Sequence, residues 1–215
     1  MTGSTAPRPS SSAIAMEADD DAMTSAPQLE VRDARTRILD AAAHLFRSAG
    51  FSGTSMDAIA ALARMSKRTL YAIFPDKRAI LETVLHQFIA HRFALIERVN
   101  REPASDEAML ARIVGGLNAM ATDEDALIMY RLLVAEAESL PALALTANRE
   151  GLAQAVDMLR EPLRRCGVAD PDPAARLLYD LAVLAPMHRR LVGADNLHMD
   201  IDALVHMVLR GMKGM

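Results

Sequence analysis

Within SMDAIAALARMSKRTLYAIFPDK, residues 55–77, four side chains would share the outward face of one short helix: Lys67, Arg68, Thr69 and Tyr71. Two cations, a small hydroxyl and a phenol are the types that contact phosphate oxygens and base edges in nucleic acid. Their chemistry is recognition. Arg68 is the candidate for bidentate readout of a guanine. Ser55 and Ser66 open the two helices of the stretch, and the free N–H groups of such openings attract phosphate. Taken one at a time, each of these residues could also be a cap or plain solvated surface.

The elements that must position them follow from apolar spacing. Ser55 caps a first helix with Ile59, Ala60 and Leu62 as its inward stripe. Arg64 and Met65 leave room only for a turn. Ser66 caps a second helix with Leu70, Ile73 and Phe74 inward, and Pro75 ends it by pushing its predecessor out of helical geometry. This is a helix-turn-helix. Upstream, a helix from Val31 to Ala49 carries Ile38, Ala42, Leu45, Phe46 and Ala49 as one stripe, with Gly50 as its stop and Phe51 as the apolar contact that accompanies it. Ser52, Gly53 and Thr54 link that stop to the motif. Downstream, Asp76 caps a long helix running to about Asn100, with Ile80, Leu81, Val84, Leu85, Phe88, Ile89 and Leu95 apolar.

The composition is that of an all-α chain. Of 215 residues 51% are hydrophobic, with 14 Met and no Trp, on a background of good helix formers and without period-two alternation. Charge is unevenly placed. Residues 32–98 carry 11 Lys+Arg against 6 Asp+Glu, whereas the whole chain is net −4; a basic segment in an acidic protein suits a part that meets nucleic acid. Cys166 is the single cysteine, so no intrachain disulfide or multi-cysteine metal site is expected. No apolar run of about 20 residues and no signal-peptide pattern occur, so a cytoplasmic chain without a membrane partner is expected. Residues 1–30, rich in Ser, Ala, Pro and Asp, read as a disordered tail. From Asp106 onward the pattern is helix after helix. The Gly115-Gly116 pair marks a kink or a close contact, Asp123 to Asp125 form an acidic start, and Pro186 interrupts a helix opened by Pro171 and Pro173.

The string from Ile38 to Leu81, ILDAAAHLFRSAGFSGTSMDAIAALARMSKRTLYAIFPDKRAIL, resembles the TetR family of bacterial transcriptional regulators. The resemblance covers about a fifth of the chain and rests on many positions at fixed offsets. It implies an all-α, Ω-shaped homodimer of about nine helices per chain: a helix-turn-helix DNA-binding domain over residues 31–77, and a helical effector-binding and dimerisation domain over 78–215. Lys67, Thr69 and Tyr71 match the recognition surface and Lys77 a phosphate contact; Thr54, Ser55, Arg64, Ser66 and Arg68 complete the expected DNA-binding set. One position departs from the pattern. Arg64 stands where the family usually has Gly in the turn, at a cost of about 1 kcal/mol for a side chain at positive φ, and would lie near the phosphate backbone.

The same resemblance implies a small-molecule pocket among the middle helices, for which Met120, Met129, Leu133, Met158, Tyr179 and Met187 are the candidates; an ordinary Met-filled core is the alternative at each. Its ligand would be mostly apolar. Leu177, Leu181 and Leu184, with Ile201, Leu204, Val205 and Val208, carry the apolar surface expected of a dimer interface. His198, Asp202 and His206 recur every four residues but drift along a helix edge, so no metal and no cofactor is expected. No nucleophile motif and no phosphate-cradling Gly loop is present. The leading expectation is a repressor released from a near-palindromic operator of double-stranded DNA by an unknown small molecule. A helical enzyme or carrier with an incidental basic head, and a DNA-binding protein without an effector, remain open at this stage.

Overall fold

A computed structural model of the chain describes residues 26–99, 104–194 and 199–212. Every regular element among them is helical: α1 (Ala26–Ala49), α2 (Met56–Leu62), α3 (Lys67–Ile73), α4 (Lys77–Val99), α5 (Asp106–Thr122), α6 (Glu124–Ala135), α7 (Pro141–Arg165), α8 (Pro171–Tyr179), a π-helical turn (Asp180–Leu184), α9 (Ala185–Leu191) and α10 (Ile201–Met212). The segments between Pro171 and Leu191 run on without a break, so the described residues form nine rods. Residues 1–25 of the expected disordered tail lie outside the described residues. α1 begins at Ala26 rather than Val31, because Ala, Gln, Leu and Glu favour helix and Pro27 falls in the first turn, where its missing N–H costs nothing.

α1 to α3 close around a core that takes its sides from several helices. Ile38, Ala42 and Phe46 of α1 meet Ile59 and Ala60 of α2, Leu70 of α3 with its cap Phe74, and Ile80 to Leu85 of α4. The core does not stop at the head, since Met129 and Leu132 of α6 and Leu143 of α7 belong to it as well. Gly50, at φ +73°, ends α1, and the Phe51 ring packs 5.8 Å from that of Phe46. Leu62 departs from expectation. It is 48% exposed and Ala63 is buried in its place, because Ala63 lies one full turn beyond Ile59 while Leu62 is rotated off that line. Ala49 and Leu95, expected inward, are likewise exposed; Phe93 and Ile96 supply the buried face of α4 at that level.

Two cations fasten the head from inside. Lys77, at the start of α4, donates through Nζ to the carbonyls of Phe51 at 2.6 Å and Thr54 at 2.7 Å, with Nζ 4.2 Å from the centre of the Phe51 ring. The whole loop between α1 and α2 is therefore tied to α4. Arg37 of α1 reaches across to the motif turn, where its guanidinium donates to the carbonyls of Ala63 and, at 3.0 Å, Arg64. Arg64 is held at φ +55°, the only non-Gly residue at positive φ among the described residues.

In the body, α5 lies against α4 so closely that a Cβ on Gly116 would come within 3.2 Å of Ile96, which settles the Gly pair as a close helix contact. Arg92 of α4 donates through Nη2 to the Met120 carbonyl in the last turn of α5 at 2.9 Å and meets the Asp123 carboxylate at 3.2 Å. Asp123 in turn caps α6 by accepting from the Ala126 N–H at 3.2 Å. Partial burial alone would raise the Asp123 pKa, but the Ala126 N–H and Arg92 outweigh it and hold the carboxyl below the usual range.

Pro186 has no N–H for the carbonyl of Ala182, and Asn118 of α5 donates to that carbonyl instead, at 2.8 Å. The turn just before it widens to π geometry, with the Ala185 N–H bonded to the Asp180 carbonyl. α10 lays its apolar face on α5 and α8. This corrects part of the expected dimer interface: Leu204, Val205 and Val208 are buried within the chain's own core, because the strongest apolar face of α10 is consumed by its own body. Leu177 (38%) and Met207 (60%) remain exposed, and Leu181 and Ile201 are half-buried.

The clamps make two measurable statements. Arg64→Gly removes the penalty of a side chain at positive φ, about 1 kcal/mol, and should raise the unfolding midpoint by roughly 2–4 °C in a thermal melt. Lys77→Met strips two buried carbonyls of their donor at about 1–3 kcal/mol and should lower the midpoint; an unchanged melt would show that the loop is held by its apolar contacts alone.

Candidate functional site

α3 presents the basic face that its spacing predicts. Ser66 caps it, its Oγ accepting from the Thr69 N–H at 3.1 Å and lying 2.8 Å from the Thr69 hydroxyl. Ser55 caps α2 in the same way, accepting from the Ala58 N–H at 3.1 Å. Lys67, Arg68, Thr69 and Tyr71 are all exposed along α3, and Arg64 is exposed at the turn beside them. Lys67 is engaged with Asp57 of α2 at 2.6 Å, but both partners face solvent. An exposed pair of this kind contributes little, so Lys67 can exchange its carboxylate for a phosphate.

Two members of the expected set sit differently. Thr54 is buried, and its hydroxyl donates to the Gly50 carbonyl at 2.7 Å. Lys77 is half-buried on its two carbonyls. Both hold the surface that carries the other seven. Arg35 stacks its guanidinium 4.5 Å from the Phe74 ring centre, behind α3.

The second feature is a cavity of about 110 Å³ in the body, walled by α4, α5, α6, α7 and the rod from α8 to α9. Met120, Met129, Leu133, Tyr179 and Met187 line it as expected. Met158 does not; it packs against the body core instead. Leu184, expected at the dimer interface, lines the cavity as well, because the π turn rotates it inward. Sequence reading missed Arg92, Tyr130 and Asn148, which supply polar groups to an otherwise apolar wall. A signal for Arg92 existed: it falls one turn after Phe88 and three residues after Ile89, a lone cation inside an apolar face. His206, expected at an interface rim, approaches Glu107 at 3.4 Å and is exposed. His198 lies outside the described residues, among which no group of three potential metal ligands occurs. No described helix is long and apolar enough to cross a membrane.

α6 stands between the two features. Its Met129, Tyr130 and Leu133 face the cavity. Its ends reach the head, with Asp125 3.6 Å from Arg47 of α1 and Glu136, just past its last turn, accepting from the Ser52 hydroxyl at 3.2 Å.

Comparison with known proteins bears on both halves. Residues 38–84 match the model of the family described as bacterial regulatory proteins, tetR family. The HTH-type transcriptional regulator UidR of Escherichia coli K12 is 40% identical over 60 residues, which are 28% of this chain and 31% of that protein; the chain thus aligns with under a third of the length of the curated relatives it matches. Among solved structures, a TetR-family transcriptional regulator from Mesorhizobium loti is 26% identical with a TM-score of 0.69, over 86% of this chain and 96% of that one. GusR of Salmonella enterica shares the fold at 23% identity and a TM-score of 0.63, over 89% and 99% of the two chains. Residues 38–84, with their capped motif and basic α3, thus match the helix-turn-helix of the TetR family of bacterial regulatory proteins, and the helical body behind them shares the fold of a TetR-family regulator.

Proposed function

We propose that the protein is a ligand-responsive transcriptional regulator, a repressor that binds a near-palindromic operator as a homodimer. The observation that carries this reading is α3 itself, a short helix held at both ends with its cations and hydroxyls turned outward. Lys67, Ser55 and Ser66 would take phosphates, the two serines through their helix N-termini as much as their hydroxyls. Arg68, Thr69 and Tyr71 would face base edges in the major groove, and Arg64 the flanking backbone. Thr54 and Lys77 would act from behind by fixing the loop. The second chain would dock on the outer face of α8 and α10, where Leu177, Leu181, Ile201 and Met207 leave apolar surface uncovered.

The cavity would hold the effector. α6 lines it on one side and holds α1 and the Ser52 loop on the other, so a ligand that displaces α6 would shift the head and its spacing from the partner's. Such a shift is effective only so far as the ligand binds one arrangement better than the other.

Two substitutions separate readout from anchoring in a gel-shift with the DNA upstream of the protein's own coding sequence. Arg68→Ala should cost about 1–3 kcal/mol and relax preference at one operator position. Lys67→Ala should weaken binding to all sequences alike and reduce the salt slope by about one. Intact sequence preference in Arg68→Ala would remove that residue from the readout, and absence of any sequence-preferring binding by the unaltered protein would overturn the regulator reading.

A further inference from the structure

The cavity wall carries one cation and three neutral polar side chains, those of Tyr130, Asn148 and Tyr179. Arg92 is the single charged side chain that lines it, and no carboxylate does. One corner of the Arg92 guanidinium is committed to the Met120 carbonyl and to Asp123, which lies outside the cavity lining; its Nε is buried with no hydrogen-bond partner among the described residues. Tyr179 is only 6% exposed, and its hydroxyl has no hydrogen-bond partner among the described residues. That hydroxyl stands 3.0 Å from where a Cβ on Gly151 would be, so the glycine leaves the space in front of it open. Burial pushes the Tyr179 phenol up to about 12, with Tyr130 and Asp180 adding to it, so it stays protonated and able to donate. Tyr130 lines the same cavity close enough to be felt by Tyr179.

An unpaired hydroxyl at the cavity wall, as that of Tyr179 is, gains a partner from an acceptor that enters with the ligand. A cationic ligand would face Arg92 without a counter-charge. A purely apolar one would leave the Tyr179 hydroxyl as it is. We infer that the cavity takes an amphipathic anion, an apolar chain whose carboxylate or phosphate head meets the Arg92 guanidinium and the hydroxyls of Tyr179 and Tyr130. This rests on the reading of the cavity as the effector site. About 110 Å³, set against the roughly 150 Å³ of a cavity that holds benzene, encloses on the order of four or five chain atoms, and a longer chain continues through the open side of the cavity.

Calorimetric titration of the full-length protein with decanoate, decyl phosphate, decanol and decyltrimethylammonium tests it. At least one of the two anions should bind about tenfold or more tightly than decanol, the size of one charge-assisted hydrogen bond, and the ammonium should bind most weakly. The tighter of the two anions identifies the head as carboxylate or phosphate. Arg92→Met keeps the stem and removes the charge, and should bring the anions to within about twofold of decanol while decanol itself is unaffected. Since Arg92 also ties α5 to α6, Tyr179→Phe provides a second variant that removes one hydroxyl only; it should weaken the preferred anion several-fold and leave decanol unchanged. Decanol binding as tightly as both anions, or anion affinity untouched by Tyr179→Phe, would overturn the anionic head while leaving the cavity as an effector site. Failure of all four probes to bind protein that still shifts operator DNA would overturn the effector reading itself.

Discussion

A helix of two turns has almost no stability of its own, because nucleation fixes several residues before any hydrogen bond rewards it. α3 is such a helix, and everything it presents depends on Leu70 and Phe74 being locked into a core that α1, α2, α4, α6 and α7 all share. A surface built this way can be rigid without being long. It also cannot be independent: the packing that makes α3 a helix includes Met129, Leu132 and Leu143 of the body, although the body keeps a second apolar core of its own.

Polar contacts then fix what apolar packing leaves loose. Hydrophobic contacts are non-directional, and the loops on either side of α2 have little apolar surface to hold them. Lys77 and Arg37 supply direction by donating to backbone carbonyls of those loops, and each comes from a long helix that is already anchored. Arg64 sits at positive φ between them. Its strain is tolerated because the Arg37 guanidinium holds the adjoining carbonyls and the flanking residues Ala63 and Ser66 are fixed by burial and by capping.

The body repeats the same logic around a hole. Arg92 joins α4 to the end of α5 and the start of α6, and Asn118 takes up the carbonyl that Pro186 frees. The Arg92 contact borders the cavity, and the π turn that accompanies Pro186 brings Leu184 to its wall beside Tyr179. The cavity therefore lies beside the place where the rod from α8 to α9 loses its helical regularity.

The sequence by itself determined the helices of the head, their caps at Ser55, Ser66 and Asp76, the stops at Gly50 and Pro75, and the outward basic face of α3. Those features depend on neighbours within one or two turns, so period, capping residue and proline are enough to specify them. It also marked Arg64 as the strained turn residue, and five of the six cavity residues by type. Tertiary structure alone decided the rest. Leu62 and Ala63 exchanged places because the phase of a seven-residue helix is set by what it packs on, not by a stripe too short to average. Leu204, Val205 and Val208 were consumed by the body because an apolar face cannot state whether its partner is the same chain or another. Lys77 turned inward because its acceptors, the Phe51 and Thr54 carbonyls, lie more than twenty residues away in sequence and come near only when the head folds. Arg92 and Tyr130 joined the cavity for the same reason, since a cavity is the space left between helices and no single helix records it.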